Sequence, residues 1–360
     1  IAEMLLQGRD ASGNVASEAM IQAGFGADTG VESMRTTFMI GGKFESKQRA
    51  AGLHRWFDVV FCDNTVETRN SVPLPGVELI HEAPAYKLEE VVNDPDFTKQ
   101  WHYWNQGGQT YKAGNDIRLK EAWEIYGEYG NNEVIVAVFD SGIDCEHPDL
   151  NGNMWVNEAE KNGAEGVDDD GNGYVDDVYG YNFVENKGIM SPDNHGTHVA
   201  GTVSAVNNNG IGVAGVAGGS GNGDGVRLIS CQIISGGTAA GTSATAAAIE
   251  YAADRGACVL QNSWGFGAGQ ISNDKLFESG QTSVEVKAFE YFMKSKNCAA
   301  LDGGVIIFAA GNEYSAMPEF PSAYSKCLSV AAIAADYTPA GYTDYGVEVD
   351  FSAPGGDTEY

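Results

Sequence analysis

The chain has 360 residues, 43% hydrophobic and 20% charged, enough for one large globular domain with a real core and a smaller companion. Fifty acidic against 21 basic residues give a formal charge of -29, which argues against nucleic acid or an anionic membrane as partner and favours solubility and bound cations. No apolar run approaches the roughly 18 residues of a membrane span, and no signal peptide opens the sequence. A start at Ile1 rather than Met leads us to expect an upstream segment that has been removed or omitted.

The first 90 residues hold short extended stretches, TTFMIGGKF near residue 40, LHRWFDVVF at 53–61 and GVELI at 76–80, between helical or polar segments. This predicts a small α+β unit, followed by a polar linker over 88–96 and a larger domain over 91–360. In the larger domain, apolar β-branched runs at 134–140 (VIVAVFD), 226–234, 258–263, 305–310 and 327–333 read as strands buried on both faces. Helical segments are expected at 195–206, 243–254 and 282–296, the last with Val286, Phe289 and Met293 on one face. Strands alternating with helices predict an α/β fold with a doubly wound, mostly parallel sheet, whose sites form at the carboxyl ends of the strands. Cys62, Cys145, Cys231, Cys258, Cys298 and Cys327 are sparse and form no CxxC pair, so we read them as buried small residues and assign no disulfide.

Three positions suit acyl transfer: Asp140 at the end of an apolar strand, His195 at the start of a small-residue helix, and Asn312 after a second apolar strand. They would serve as orienting acid, general base and oxyanion donor. Asp144 and Asp149 are neighbours of Asp140, but a strand end fixes a side chain better than the loop beyond it. His195 and His198 also form an HxxH pair, a weak zinc signal without HExxH or a nearby cysteine.

The run DDDGNGYVDD at 168–177 concentrates five carboxylates around two glycines, a repulsion that a cation would relieve. Asp168, Asp170, Asn172, the carbonyl of Tyr174 and Asp176 follow the alternating spacing of a calcium loop, with Gly173 at the turn. Tyr179 stands where the closing glutamate of an EF-hand belongs, so a full EF-hand is excluded and a structural calcium site of another form is expected.

The stretches VFDSGIDCEHPDL around Asp140, NHGTHVAGT around His195 and FAAGN ending at Asn312, in this order, resemble the subtilisin-like serine peptidases, the S8 family or subtilases. The resemblance is strong over 94–360. It implies a serine endopeptidase acting on polypeptides, secreted or located at the cell surface or periplasm. In it the segment Ser263, Trp264, Gly265 lines the first specificity pocket, and the glycine-rich 235–241 stretch with Gly236 and Gly237 forms the opposite edge of an extended substrate groove. RAAGLHRWFDVVF in the first 90 residues is similar to subtilase propeptides, which implies an intramolecular inhibitor. FSAPGG at 351–356 resembles the segment that precedes the family's GTSxA serine, expected about 15 to 25 residues after Tyr360. That serine would lie on a separate associated C-terminal fragment or on the continuing sequence. The rival expectation is a catalytically inactive, peptide-binding or adhesive module on the same fold.

Overall fold

A computed structural model of the chain describes residues 1–25, 30–61, 92–108 and 111–357. The chain forms two compact units, Ile1–Lys87 and Leu88–Tyr360. In the first, helices α1 (Ala2–Gln7), α2 (Ser17–Gln22) and α3 (Glu45–Ala50) accompany an antiparallel pair, β1 (Val31–Thr36) and β2 (Phe57–Phe61). Leu5, Met20, Phe25, Val31, Met34 and Phe61 close its small core. The strand begins earlier than the TTFMIGGKF stretch, which is irregular beyond Thr36 and ends in a 3-10 turn, because Gly41 and Gly42 take positive φ there. The GVELI stretch, Cys62 and residues 88–91 of the expected linker lie outside the described residues.

The second unit carries strands β3 (Ile135–Asp140), β4 (Gly180–Asn182), β5 (Arg227–Gln232), a small hairpin of β6 (Ile234–Ser235) and β7 (Thr238–Ala239), then β8 (Val259–Asn262), β9 (Val305–Ala309), β10 (Leu328–Ile333) and β11 (Phe351–Pro354). Its helices are α4 (Leu119–Tyr126), α5 (Glu158–Lys161), α6 (Asn194–Ser204), α7 (Thr242–Asp254), α8 (Asp274–Phe277) and α9 (Ser283–Lys294). Seven strands form one sheet in the order β11-β10-β9-β8-β3-β5-β4, and every neighbouring pair is parallel.

Alternation along β3 shows why both faces need cover. Ala137 and Phe139 join Ile249 of α7 and Phe289 and Phe292 of α9 on one side, while Val136 and Val138 meet Ala200 of α6 on the other. Phe139, Phe289 and Phe292 are completely buried, each worth roughly 1.5–3 kcal/mol of transfer free energy. From β5 the chain crosses over β3 to reach β8, so the loops leaving β3, β5 and β8 diverge and open a crevice at the carboxyl edge. None of the described helices is long and apolar enough to cross a membrane. Cys145, Cys231, Cys258 and Cys327 are buried and Cys298 is half-buried, and burial lifts the Cys145 and Cys327 thiols to about 12.

Candidate active site

Asp140 is the last residue of β3 and only 2% of it is exposed. Its Oδ1 lies 2.7 Å from Nδ1 of His195, the second residue of α6, whose ring is otherwise open to solvent. With the proton on Nδ1, the ring donates to the carboxylate and leaves Nε2 free to accept. The Ser141 amide also donates to Asp140 Oδ1, at 2.7 Å, whereas Oδ2 is buried without a hydrogen-bond partner. Burying a carboxylate is unfavourable unless it is paired, so Asp140 is held against the one group able to share its charge.

The helix start is fastened to the strand end from several directions. Asp193 caps α6 by accepting from the His195 amide at 2.9 Å, and that amide together with the Ser141 hydroxyl holds the Asp193 carboxyl below its ordinary range. The Ser141 hydroxyl stands 2.8 Å from Asp193 and 3.1 Å from Asp140, and accepts from the Gly196 amide at 3.2 Å. Gly196 lets this approach happen, since a Cβ there would sit 2.5 Å from the carbonyl oxygen of Gly142, itself at φ +104°. Gln232, paired in register with Asp140, donates to the carbonyls of Ser141 and Ser191 and accepts from the Ser191 amide. Ser141 and Gln232 were not singled out from the sequence: DS is a common dipeptide, and the role of Gln232 depends on strand register.

Asp149, one of the alternatives to Asp140, binds the Asn209 amide and the Val213 backbone, and so braces a loop. His198 is exposed on α6, and among the described residues no group of three close metal ligands includes either histidine. Asn312 follows β9, exposed, with its side-chain amide unbonded to any described residue. Ser263, Trp264 and Gly265 follow β8. The Trp264 indole donates to Asn262 at 3.0 Å and its ring packs edge-on against Phe308, while the Ser263 hydroxyl receives Gln261. Gly236 and Gly237, at φ +55° and +79°, form the exposed tip of the β6–β7 hairpin. Ser235 at its base donates to Glu185, whose carboxyl is lowered to about 2 by Lys187 and then by Ser235.

The acidic loop folds around itself. Asp168 accepts from the Asn172 and Gly173 amides, Asp170 accepts from Asn172 and Asn157, and Asn172 Oδ1 receives the Tyr174 amide. The carboxylates that converge with one another are Asp168, Asp170 and Glu160 of α5, with oxygens within 4.8 Å. Glu160 was missed because it stands eight residues ahead of the motif and is brought in only by α5. Asp176, included in the expected ligand set, instead accepts the Gly166 amide, its backbone at φ +56°, while Asn172 Nδ2 donates to Asp170 and Asp177. Three hard oxygen donors, with Arg255 3.2 Å from Asp170 as their one cationic partner among the described residues, are chemically suited to a calcium ion.

The family model described as "Subtilase family" matches residues 131–360. The chain is 36% identical over 224 residues to Subtilisin-like protease 1 of Plasmodium vivax, covering 62% of this chain and 34% of that protein. It is 28% identical over 292 residues to the halolysin-like extracellular serine protease Nep of Natrialba magadii, covering 80% of this chain and 43% of the relative. The chain thus spans less than half the length of these relatives. Among solved structures, a protease from Pseudoalteromonas arctica superposes with a TM-score of 0.51 at 27% identity, covering 75% of this chain and 74% of the other. With a parallel seven-stranded sheet, an aspartate and histidine joined at its carboxyl edge and a family match over most of the second unit, the chain belongs to the subtilase family.

Proposed function

We propose that this chain carries the acid, base and oxyanion donor of a secreted serine endopeptidase that cleaves polypeptides through an acyl-enzyme. The observation that supports it most is the 2.7 Å hydrogen bond between Asp140 and His195, which fixes one tautomer and presents Nε2 as a base. In this reading His195 takes the proton of a serine hydroxyl as that oxygen attacks the scissile carbonyl, then returns it to the leaving amine. Asp140 stabilises the imidazolium formed in between. The free side-chain amide of Asn312 donates to the developing oxyanion, a contact of the kind worth about 3–4 kcal/mol in the transition state. Ser263–Gly265 and the Gly236–Gly237 hairpin flank the extended substrate.

The nucleophile is assigned to a GTSxA serine encoded after residue 360. Ser352 lies in β11, within the FSAPGG segment, and is not that residue. Residues 1–90 act as propeptide and inhibitor. A calcium ion held by Asp168, Asp170, Glu160, Asn172 and the Tyr174 carbonyl would neutralise the loop and brace the structure ahead of α6. Secretion is supported by the relative named as an extracellular protease.

A fluorophosphonate reacting with the full-length protein tests this reading. One covalent adduct, mapped to a GTSxA serine and absent after His195→Ala, is the expected result. Failure to label, or labelling that ignores His195, would favour the inactive peptide-binding module. Adding a 1–90 fragment to the active enzyme should suppress turnover, and a lack of inhibition at micromolar concentration would remove the propeptide assignment.

A further inference from the structure

Behind Gly265 and Gly311 lies a second pair of carboxylates with no positive partner. Glu319 places one oxygen 2.2 Å from where a Cβ on Gly265 would stand and the other 2.2 Å from where a Cβ on Gly311 would stand. Asp344 Oδ2 lies 2.3 Å from that same Gly311 position, so the two side chains meet in the gap between the segments that follow β8 and β9. Glycine at both positions is what gives the carboxylates room.

Asp344 is 97% buried, since only 3% of it is exposed, and its Oδ1 is taken by the Glu313 and Ser315 amides at 2.9 and 2.8 Å. Its Oδ2 receives no hydrogen bond from any other described group and faces the Glu319 carboxyl, close enough for the two acids to share a proton. Glu313 stands at the rim, accepting the Ala268 amide at 2.9 Å. None of the three acids forms an ion pair with any described lysine, arginine or histidine. A half-buried carboxyl beside another acid resists ionisation, and Glu319 is lifted to about 7 by burial first, then by Asp344 and Glu313. A buried carboxyl pair that faces no cationic side chain among the described residues is suited to a cationic group supplied from outside the chain.

We propose that Glu319, backed by Asp344, is the floor of the first specificity pocket and selects substrates with lysine or arginine immediately before the scissile bond. This rests on the peptidase reading for the position of the substrate. A basic side chain entering between Ser263–Gly265 and the residues before Asn312 meets Glu319 at the bottom, and an ammonium or guanidinium donates hydrogen bonds to the Glu319–Asp344 pair. Losing one partner of a buried ion pair typically weakens recognition by orders of magnitude, whereas an apolar side chain makes no use of that charge.

The test has a binding arm and a turnover arm, both on the full-length protein. Benzamidine should bind and neutral benzamide should not, and Glu319→Gln should weaken benzamidine about a hundredfold. Peptides differing only before the scissile bond should be cleaved in the order arginine or lysine well above leucine or phenylalanine. Glu319→Gln should then lower the basic substrates about a hundredfold and leave the apolar ones within a few-fold. Cleavage of apolar substrates with no basic preference, or equal loss on all substrates in the variant, overturns the pocket assignment while leaving the peptidase reading intact. Benzamidine binding that depends on Glu319 in a protein that cleaves nothing supports the pocket and refutes the peptidase. If calcium, and not benzamidine, is bound in a Glu319-dependent way, the pair is a metal site and the inference fails.

Discussion

Two carboxylate sites at the carboxyl edge of the sheet are built from the same materials and treat charge in opposite ways. Asp140 is buried with a titratable partner 2.7 Å away, so its charge is used internally to hold an imidazole. Glu319 and Asp344 are brought together with no base among the described residues, and their charge is left over. A paired acid beside a free nitrogen is a positioning device, whereas an unpaired acid next to a gap is a receptor. A third case, Glu285 on α9, is 1% exposed with an unpartnered Oε2 and lifted to about 8 by burial alone.

The largest effect should come from breaking the first pair. Asp140→Asn in the full-length enzyme should lower kcat by about ten-thousandfold with thermal stability nearly unchanged, because the imidazole loses its tautomer and its counter-charge. Comparison of kcat and the unfolding midpoint would check this. Glu285 sharpens the contrast through pH. Its carboxyl is raised from about 4.5 unfolded to about 8 folded, so the stability it contributes is fully present below about pH 4.5 and is lost as pH rises through 8. Glu285→Gln should therefore be close to neutral at pH 5 and more stabilising at pH 9, by roughly 4 kcal/mol, read from denaturant unfolding at the two pH values. Equal effects at both would mean that the carboxyl finds a partner.

Calcium tests the remaining acidic cluster, which resembles the receptor type but closes on itself. At about 100 times its dissociation constant the ion should add roughly 2.7 kcal/mol to stability, and chelator should remove it. Identical unfolding midpoints with calcium and with chelator would eliminate the metal. Gly196→Ala should cost roughly 1–3 kcal/mol of stability from the clash with the Gly142 carbonyl, and should also displace His195 and lower kcat modestly without a matching change in KM.

The two carboxylate sites also differ in how far the sequence disclosed them. Asp140 and His195 sit inside contiguous stretches whose residues serve one another locally, so the strand end and the small residues of α6 are visible in order, although the capping Asp193 emerges only in the fold. Glu319, Asp344 and Glu160 act through glycines and helices distant in sequence, and nothing in their own neighbourhood marks them. The five central strands were legible as apolar runs because parallel strands are buried on both faces. The edge strands β4 and β11 were not: Gly180–Asn182 is too short to show a period, and Phe351–Pro354 ends in a residue that usually argues against a strand. In the acidic loop the spacing pointed to Asp168, Asp170 and Asp176; the first two converge with Glu160 in the folded loop, while the Asp176 carboxylate accepts the Gly166 amide.

The most direct measurement crosses the two sites on one set of substrates. Values of kcat/KM for matched arginine and leucine peptides would be determined for the full-length enzyme, Asp140→Asn and Glu319→Gln. Asp140→Asn should lower both peptides by the same factor of about ten thousand, while Glu319→Gln should lower only the arginine peptide, by about a hundredfold. A preference that shifts in Asp140→Asn, or a uniform loss in Glu319→Gln, would contradict the division between an acid that holds the base and an acid that receives the substrate.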